Sequence, residues 1–184
     1  AYITEQYRKY IVDSYAVNAA GDRVEGADAF NLLINLKAEY DKPLQDRVLP
    51  VFVSRDDQGI VSYVMPVWGT GLWGPVWGYI ALGDNWDTVD VAVFDHKSET
   101  PGLGAEIATP AFQAQFKGKQ MLGPQCNVVA STLQKGGADP NDPYAVDALS
   151  GGRLTSRGVE NMLKNCLSDY DAYIRKQRAA AGDI

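Results

Sequence analysis

Apolar positions near the N-terminus recur every three or four residues. Ile3, Tyr7, Tyr10, Ile11 and Ser14/Tyr15 fall on one face, the stripe that an amphipathic helix buries, and Thr4 ahead of an acidic first turn would cap it. Over residues 30–40 the period drops to two. Phe30, Leu32, Ile34, Leu36, Ala38 and Tyr40 share one face while Asn31, Asn35, Lys37 and Glu39 share the other, and this alternation predicts a strand. Residues 48–54 and 60–68 are β-branched and aromatic runs on either side of Asp56-Asp57-Gln58-Gly59, which predicts a hairpin. Pro50 and Pro66 have no amide hydrogen to give to a ladder, so they belong near strand ends or at an edge. A second hairpin is predicted from residues 77–82 and 88–94 around Gly83-Asp84-Asn85.

After Phe94 the pattern loosens into a loop. Thr109 then precedes Pro110, Phe112 and Phe116, the start signal of a short helix with Pro in its first turn. Residues 127–133 predict a further strand. The cluster Gly136, Gly137, Asp139, Pro140, Asn141, Asp142 and Pro143 marks residues 134–146 as a loop. A helix is expected from about Ser156, because Val159, Met162/Leu163, Cys166, Tyr170 and Tyr173/Ile174 keep helical period nearly to the tail. There Arg175, Lys176 and Arg178 suit the negative end of its dipole. Two hairpins with flanking helices predict an α+β fold, mainly an antiparallel twisted sheet with helices packed on it. No repeat or linker divides residues 1–184, which read as one domain.

Composition narrows the function. The formal net charge of −6 argues against the broad basic surface that nucleic acid or anionic lipid requires, so no nucleic-acid partner is expected. No run of 18 apolar residues occurs, so this stretch is expected to be a soluble domain. Ala1 in place of Met fits a processed or trimmed chain whose missing leader is a signal peptide or a membrane anchor. Cys126 and Cys166 have no zinc-like spacing and fit either free thiols or one disulfide. With one histidine, no P-loop and no GxSxG motif, the inventory points away from hydrolysis. Asp95, Glu99 and Glu106 match no cation-loop pattern, and no metal is expected. His96 at a strand end, and Trp68 and Trp77 in a hairpin, are expected to be structural groups.

Three glycine-bearing segments remain: residues 69–74 (Gly-Thr-Gly-Leu-Trp-Gly), 96–104, and 147–156 (Asp-Ala-Leu-Ser-Gly-Gly-Arg-Leu-Thr-Ser). Ser-Gly-Gly ahead of a helix start lets backbone amides approach an anion, such as a phosphate, at the positive end of the helix. The same glycines equally fit a tight turn, and Thr155 or Ser156 equally fits a helix cap.

Read together, the segments resemble the FMN-binding domain family. Asp147, Ser150, Gly151 and Thr155 match that family's flavinylation motif, with Gly152 where Ala is usual and Arg153 where a hydroxyl residue is usual. Glu99-Thr100-Pro101-Gly102-Leu103-Gly104 is similar to its second signature. The run from Gly69 to Ile80 is similar to a stretch found in members from sodium-translocating NADH:quinone oxidoreductases.

The resemblance implies an electron-transfer flavoprotein subunit of a sodium-pumping NADH:quinone oxidoreductase, with FMN joined covalently through its phosphate to Thr155. It implies FMN contacts at Ser150, Gly151, Gly152, Arg153 and Leu154, at Glu99, Thr100, Gly102 and Leu103, and at Gly71, Leu72 and Trp73. The Glu99–Gly104 loop is expected to offer backbone amides and carbonyls, with the Thr100 hydroxyl, to the polar edge of the ring. The partners implied are other membrane subunits of the complex and a flavin transferase for maturation. The place implied is the periplasmic side of a bacterial inner membrane, reached through an N-terminal transmembrane helix absent from this chain. The alternatives are the related flavin-bearing subunit of an Rnf-type electron-transport complex, or an extracytoplasmic binding or assembly domain of the same fold without flavin.

Overall fold

The computed structural model describes residues 2–182. In chain order, Tyr2–Tyr10 (α1) leads into Ile11–Asn18 (β1), and Ala29–Ile34 (α2) and Leu36–Tyr40 (α3) follow. The strands Val48–Arg55 (β2), Val61–Thr70 (β3), Pro75–Leu82 (β4) and Val89–His96 (β5) come next. A 3-10 turn at Gly104–Ala108, Pro110–Ala114 (α4), Thr132–Gln134 (β6), Ala145–Asp147 (β7), Arg153–Ser168 (α5) and Asp171–Ala181 (α6) complete the chain. β1 to β5 form one antiparallel sheet in sequence order, and β6 and β7 a small parallel pair. The α+β architecture expected from the two hairpins is what the chain adopts.

Alternation decides which face of the sheet is covered. Val51, Met65, Val67, Val76, Ile80 and Leu82 are fully buried beneath α5 and its neighbours, each contributing about 1.5–3 kcal/mol of apolar burial. Helix α5 turns Val159, Met162, Leu163, Cys166 and Leu167 onto this face. It lies so close to the end of β3 that a Cβ at Gly158 would strike the Thr70 carbonyl oxygen, and one at Gly69 would sit 2.8 Å from Met162 Cβ. These glycines set the start of α5 beside the β3–β4 turn.

The two prolines occupy edges inside the sheet. β2 and β3 pair only over residues 52–55 and 61–64. Beyond that overlap the strands separate, leaving Pro50 paired only with Ala16 of β1 and Pro66 only with Tyr79 of β4. Tyr170, fully buried, donates its hydroxyl to the Pro50 carbonyl at 2.8 Å.

Four expectations are corrected. The N-terminal helix ends at Tyr10 and contains Thr4 rather than being capped by it. Residues from Ile11 pair with β2, Tyr15 lying opposite Val51, because this edge gains a full ladder of backbone bonds that an isolated helix end could not offer. Residues 30–40 are helical. The Asp28 carboxylate accepts the amide hydrogens of Phe30 and Asn31 at 2.9 and 3.4 Å, and the inward residues are Ala29, Leu36 and Glu39, at helical spacing. Phe30 and Ile34, on the supposed inner face of a strand, are exposed.

Residues 127–133 form no continuous strand, since Cys126 and Ala130 take left-handed backbone with φ of 54° and 58°; Val128 makes one isolated bridge to Leu122, and a ladder forms only in β6. The C-terminal helix begins at Arg153 rather than Ser156 and breaks at Asp169–Tyr170. The break is invisible to periodicity because both residues keep near-helical dihedrals. Arg47 holds the Asp169 carboxylate there at 2.8 Å. Both cysteines are free thiols, Cys166 buried and Cys126 half-buried.

Candidate functional site

The antiparallel meander puts the β3–β4 turn and the end of β5 at the same edge, Val76 lying opposite His96. Two hydrogen bonds stitch these loops together. Trp73 N–H donates to Glu99 Oε1 at 2.8 Å, and the Ser98 hydroxyl donates to the Trp73 carbonyl at 2.7 Å. The third segment enters with α5, where the Thr155 hydroxyl donates to Glu99 Oε2. Thr155 and Glu99 are both buried.

Two glycines hold open the space that the carboxylate fills. A Cβ at Gly71 would stand 2.5 Å from Glu99 Oε1, and one at Gly104 would stand 2.5 Å from both Glu99 Oε2 and Thr155 Oγ1. Gly151, with φ of 72°, lies against Leu103, to whose Cδ2 a Cβ would come within 2.6 Å. The three segments singled out in the sequence therefore meet around one side chain.

Thr155 lines a cleft of about 130 Å³ together with Leu72, Thr100, Leu103, Arg153 and Leu154. Its rim is unusually apolar. Leu72, Leu103 and Leu154 line it and are 46%, 42% and 54% exposed, and Trp73, next to Leu72, is 64% exposed. Exposed apolar groups grouped in this way form the kind of patch that a ligand or partner covers.

On the other flank of the loop before α5 lies a wider hollow of about 800 Å³, reached by Lys135, Arg153 and Arg157. None of these cations is in an ion pair among the described residues. The acids nearby are committed to backbone: Asp147 accepts the Ala138 amide at 2.6 Å and Glu160 the Leu133 amide at 2.8 Å. No side chain caps α5, so its first-turn amides add partial positive charge at the junction of the two hollows.

The predicted residues are distributed as follows. Gly152, buried, is the N-cap residue of α5. Thr155 and Ser156 lie inside the first turn rather than capping it, and Ser156 Oγ accepts the Leu149 amide at 3.0 Å. Ser150 and Gly151 face the wider hollow. The Thr100 carbonyl is spent on the amides of Leu103 and Ala105, at 3.1 Å each, and Gly102 tops that turn with φ of 74°.

The Glu99 amide donates to His96 Nδ1 at 3.1 Å, so the ring helps to hold the Glu99 loop. Trp68 and Trp77 face each other across β3 and β4. What sequence reasoning missed is the inward turn of the Glu99 carboxylate and the presence of Lys135 beside Arg153 and Arg157. The only signal for the former was an acid set among glycines. Among the described residues no group of three His, Cys, Asp or Glu converges as a metal site would, and no helix is long and apolar enough to cross a membrane.

Residues 71–168 match the family described as the FMN-binding domain. Over 98% of its length the chain is 33% identical to the NqrC subunit of the Na+-translocating NADH-quinone reductase of Haemophilus ducreyi, spanning 75% of that protein. It is 37% identical to the NqrC subunit of Yersinia pestis over 73% of its own length, which is 51% of that relative. Among solved structures it is similar to the same subunit from Parabacteroides distasonis, with a TM-score of 0.79 and 37% identity over 93% of this chain and 81% of that one. It is also similar to Shewanella oneidensis NqrC, with a TM-score of 0.80 and 26% identity over 96% of this chain and 88% of that one.

Proposed function

The chain belongs to the FMN-binding domain family, and from that premise we propose that it carries FMN on Thr155 as an electron-transfer subunit of a Na+-translocating NADH-quinone reductase. The observation that supports this best is the position of Thr155. Its hydroxyl lies at a cleft whose rim is apolar on one side and beyond whose far flank stand three cations with no ion pair among the described residues. A molecule with a flat apolar part and an anionic part fits that division, and FMN has both.

FMN, when bound, supplies reversible uptake of one or two electrons. The chain supplies the rest. Thr155 Oγ is the attachment atom, so the cofactor is retained by a bond rather than by affinity. The phosphodiester keeps a negative charge, and the open amides at the start of α5 with Arg153, Arg157 and Lys135 offset it, each exposed contact contributing about 0.3–1 kcal/mol. Ser150 and Gly151 line the wider hollow with small residues beside that charge, and Gly152 lets α5 start close against Leu149. Leu72, Trp73, Leu103 and Leu154 cover an apolar ring system and exclude water from it, and the Thr100 hydroxyl and Gly102 present polar backbone and side-chain groups beside them. No side chain need take or give a proton for electron passage itself.

In this reading the working partners are other membrane subunits of the complex, the domain sits on the periplasmic side of a bacterial inner membrane, and a flavin transferase completes it. Co-expression with such a transferase should give a band that fluoresces under ultraviolet light in a denaturing gel, and Thr155→Ala should abolish it. Fluorescence unchanged in Thr155→Ala would refute the attachment site.

A further inference from the structure

Glu99 is an odd residue to find where it is. It is 4% exposed, has no cationic partner among the described residues, and its carboxylate receives hydrogen bonds only from Trp73 N–H and from the Thr155 hydroxyl. Burying a carboxylate without a counter-charge is costly. The two bonds go to different oxygens, Oε1 and Oε2, so a neutral glutamine could accept only one of them. Two loops give up side chains at Gly71 and Gly104 to make room for the carboxylate.

Resting on the reading that Thr155 is the attachment residue, we propose that Glu99 is the acceptor protein's own general base for flavinylation, taking the Thr155 hydroxyl proton as the phosphoester forms. A threonine hydroxyl is a weak nucleophile that needs an adjacent base. The geometry is that of a base and its nucleophile already in hydrogen-bond contact, with the base oriented from behind by Trp73 N–H.

The step balances without a redox change. The Thr155 Oγ–H bond breaks and its proton passes to Glu99 Oε2, while Oγ forms a bond to the flavin's phosphorus. The bond that breaks at phosphorus is to a phosphoryl oxygen, so the donor must be a phosphoanhydride of FMN rather than FMN itself, whose only leaving group would be hydroxide or oxide. The leaving phosphate monoester departs with the electron pair. His96, whose Nδ1 accepts the Glu99 amide, is the other titratable group against this loop, and Arg153 is the charged residue of α5 that lines the same cleft.

The test uses the protein purified from a host without the transferase, then incubated with a purified flavin transferase and FAD as the anhydride donor, covalent flavin being counted by intact mass. Wild type, Glu99→Gln and His96→Asn are compared across pH. Glu99→Gln should lower the maximal rate about 10²-fold or more, as loss of a general base does, with little change in the concentration of acceptor at half-maximal rate. The ratio of wild-type to Glu99→Gln rate should shrink toward one as acid protonates Glu99; the transferase's own pH dependence cancels in that ratio. His96→Asn should label within about threefold of wild type with the same pH profile.

Should Glu99→Gln fold poorly, seen as a lowered melting temperature, Glu99→Gly supplemented with formate replaces it. Rescue of labelling by formate supports the base, and no rescue overturns it. Glu99→Gln labelling at the wild-type rate, or a rate ratio constant with pH, overturns the role of Glu99 alone. Wild type that never gains flavin overturns the attachment reading and this inference with it.

Discussion

Gly104→Ala gives the most direct test of how tightly the site is built. The backbone of Gly104 is not in the left-handed region, so alanine is conformationally acceptable, and the effect must come from space. Its Cβ would meet Glu99 Oε2 and Thr155 Oγ1 at 2.5 Å each and Glu99 Cβ at 3.2 Å, about 1 Å inside ordinary contact. Neither oxygen can retreat cheaply. The Glu99 carboxylate is held on its far side by Trp73 N–H at 2.8 Å and bounded by Gly71, and Thr155 is fixed in the first turn of α5.

Overpacking costs about 1–3 kcal/mol, and separating a buried acceptor from its donor costs about 1–3 kcal/mol. Together these predict a loss of about 2–6 kcal/mol, which for a chain of this length is a fall in Tm of about 4–24 °C. The control is Gly102→Ala. There a Cβ meets nothing within 4 Å but φ is 74°, so backbone strain alone should cost about 1–2 kcal/mol. Melting is followed by circular dichroism, and covalent flavin by mass after exposure to transferase and FAD. Gly104→Ala should melt well below Gly102→Ala and take up flavin at least tenfold more slowly than wild type. If it melts with wild type and is labelled as fast, the carboxylate and hydroxyl are not packed against Gly104 and the geometry of the site is wrong.

Trp73→Ala and Leu154→Ala remove large apolar side chains that are 64% and 54% exposed, so the flavin-free protein should keep its stability within about 0.5 kcal/mol while the loaded protein shows altered flavin absorption and emission; a large loss of stability without flavin would make them core residues. Burial raises the thiol of Cys166 above its ordinary 9.0 and the hydroxyls of Tyr40 and Tyr170 well above 10.0. The unfolded chain therefore ionises first as pH rises, and stability is full below about pH 9 and falls above it. The urea midpoint should be level from neutral pH to that point and then drop, and a midpoint still level at about pH 11 would contradict the burial. A thiol reagent at neutral pH should label Cys126, half-buried, and reach Cys166 only on unfolding, so two fast equivalents would exclude the buried position.

Much of the fold could be read directly from pattern. Both hairpins lie where Asp56–Gly59 and Gly83–Asn85 punctuate β-branched runs, and Thr109 caps α4 with Pro110 behind it, its hydroxyl accepting the Phe112 amide at 3.4 Å. The failures are instructive because each is a contest between two periods. Over residues 30–40 an i, i+2 alternation and an i, i+3/i+4 stripe coexist, and the cap at Asp28 tips the backbone into helix. At residues 11–15 the helical stripe was present but a neighbouring strand edge needed a partner. The break at Asp169–Tyr170 costs no dihedral change large enough to disturb periodicity, so only its consequences reveal it, the Arg47 ion pair and the hydroxyl bond to Pro50.

The site was legible in a different way. Its three segments are separated by up to about 85 residues of chain, and none identifies a common cleft alone; the meander supplies the convergence. Antiparallel pairing returns β5 to the edge from which β4 departs, and the close approach of Gly158 to Thr70 fixes where α5 can begin. Glycines in such segments are naturally read as room for a ligand. At Gly71 and Gly104 the room is occupied by the protein's own carboxylate, and at Gly158 by a strand. At Gly151 and Gly152 it is taken by Leu103 and Leu149, and of these segments' glycines only Gly102 has open space where a side chain would stand. The spacing of glycines thus pointed to three segments that do meet, for a reason other than room for a ligand: at Gly71 and Gly104 the pattern serves the acid that touches Thr155.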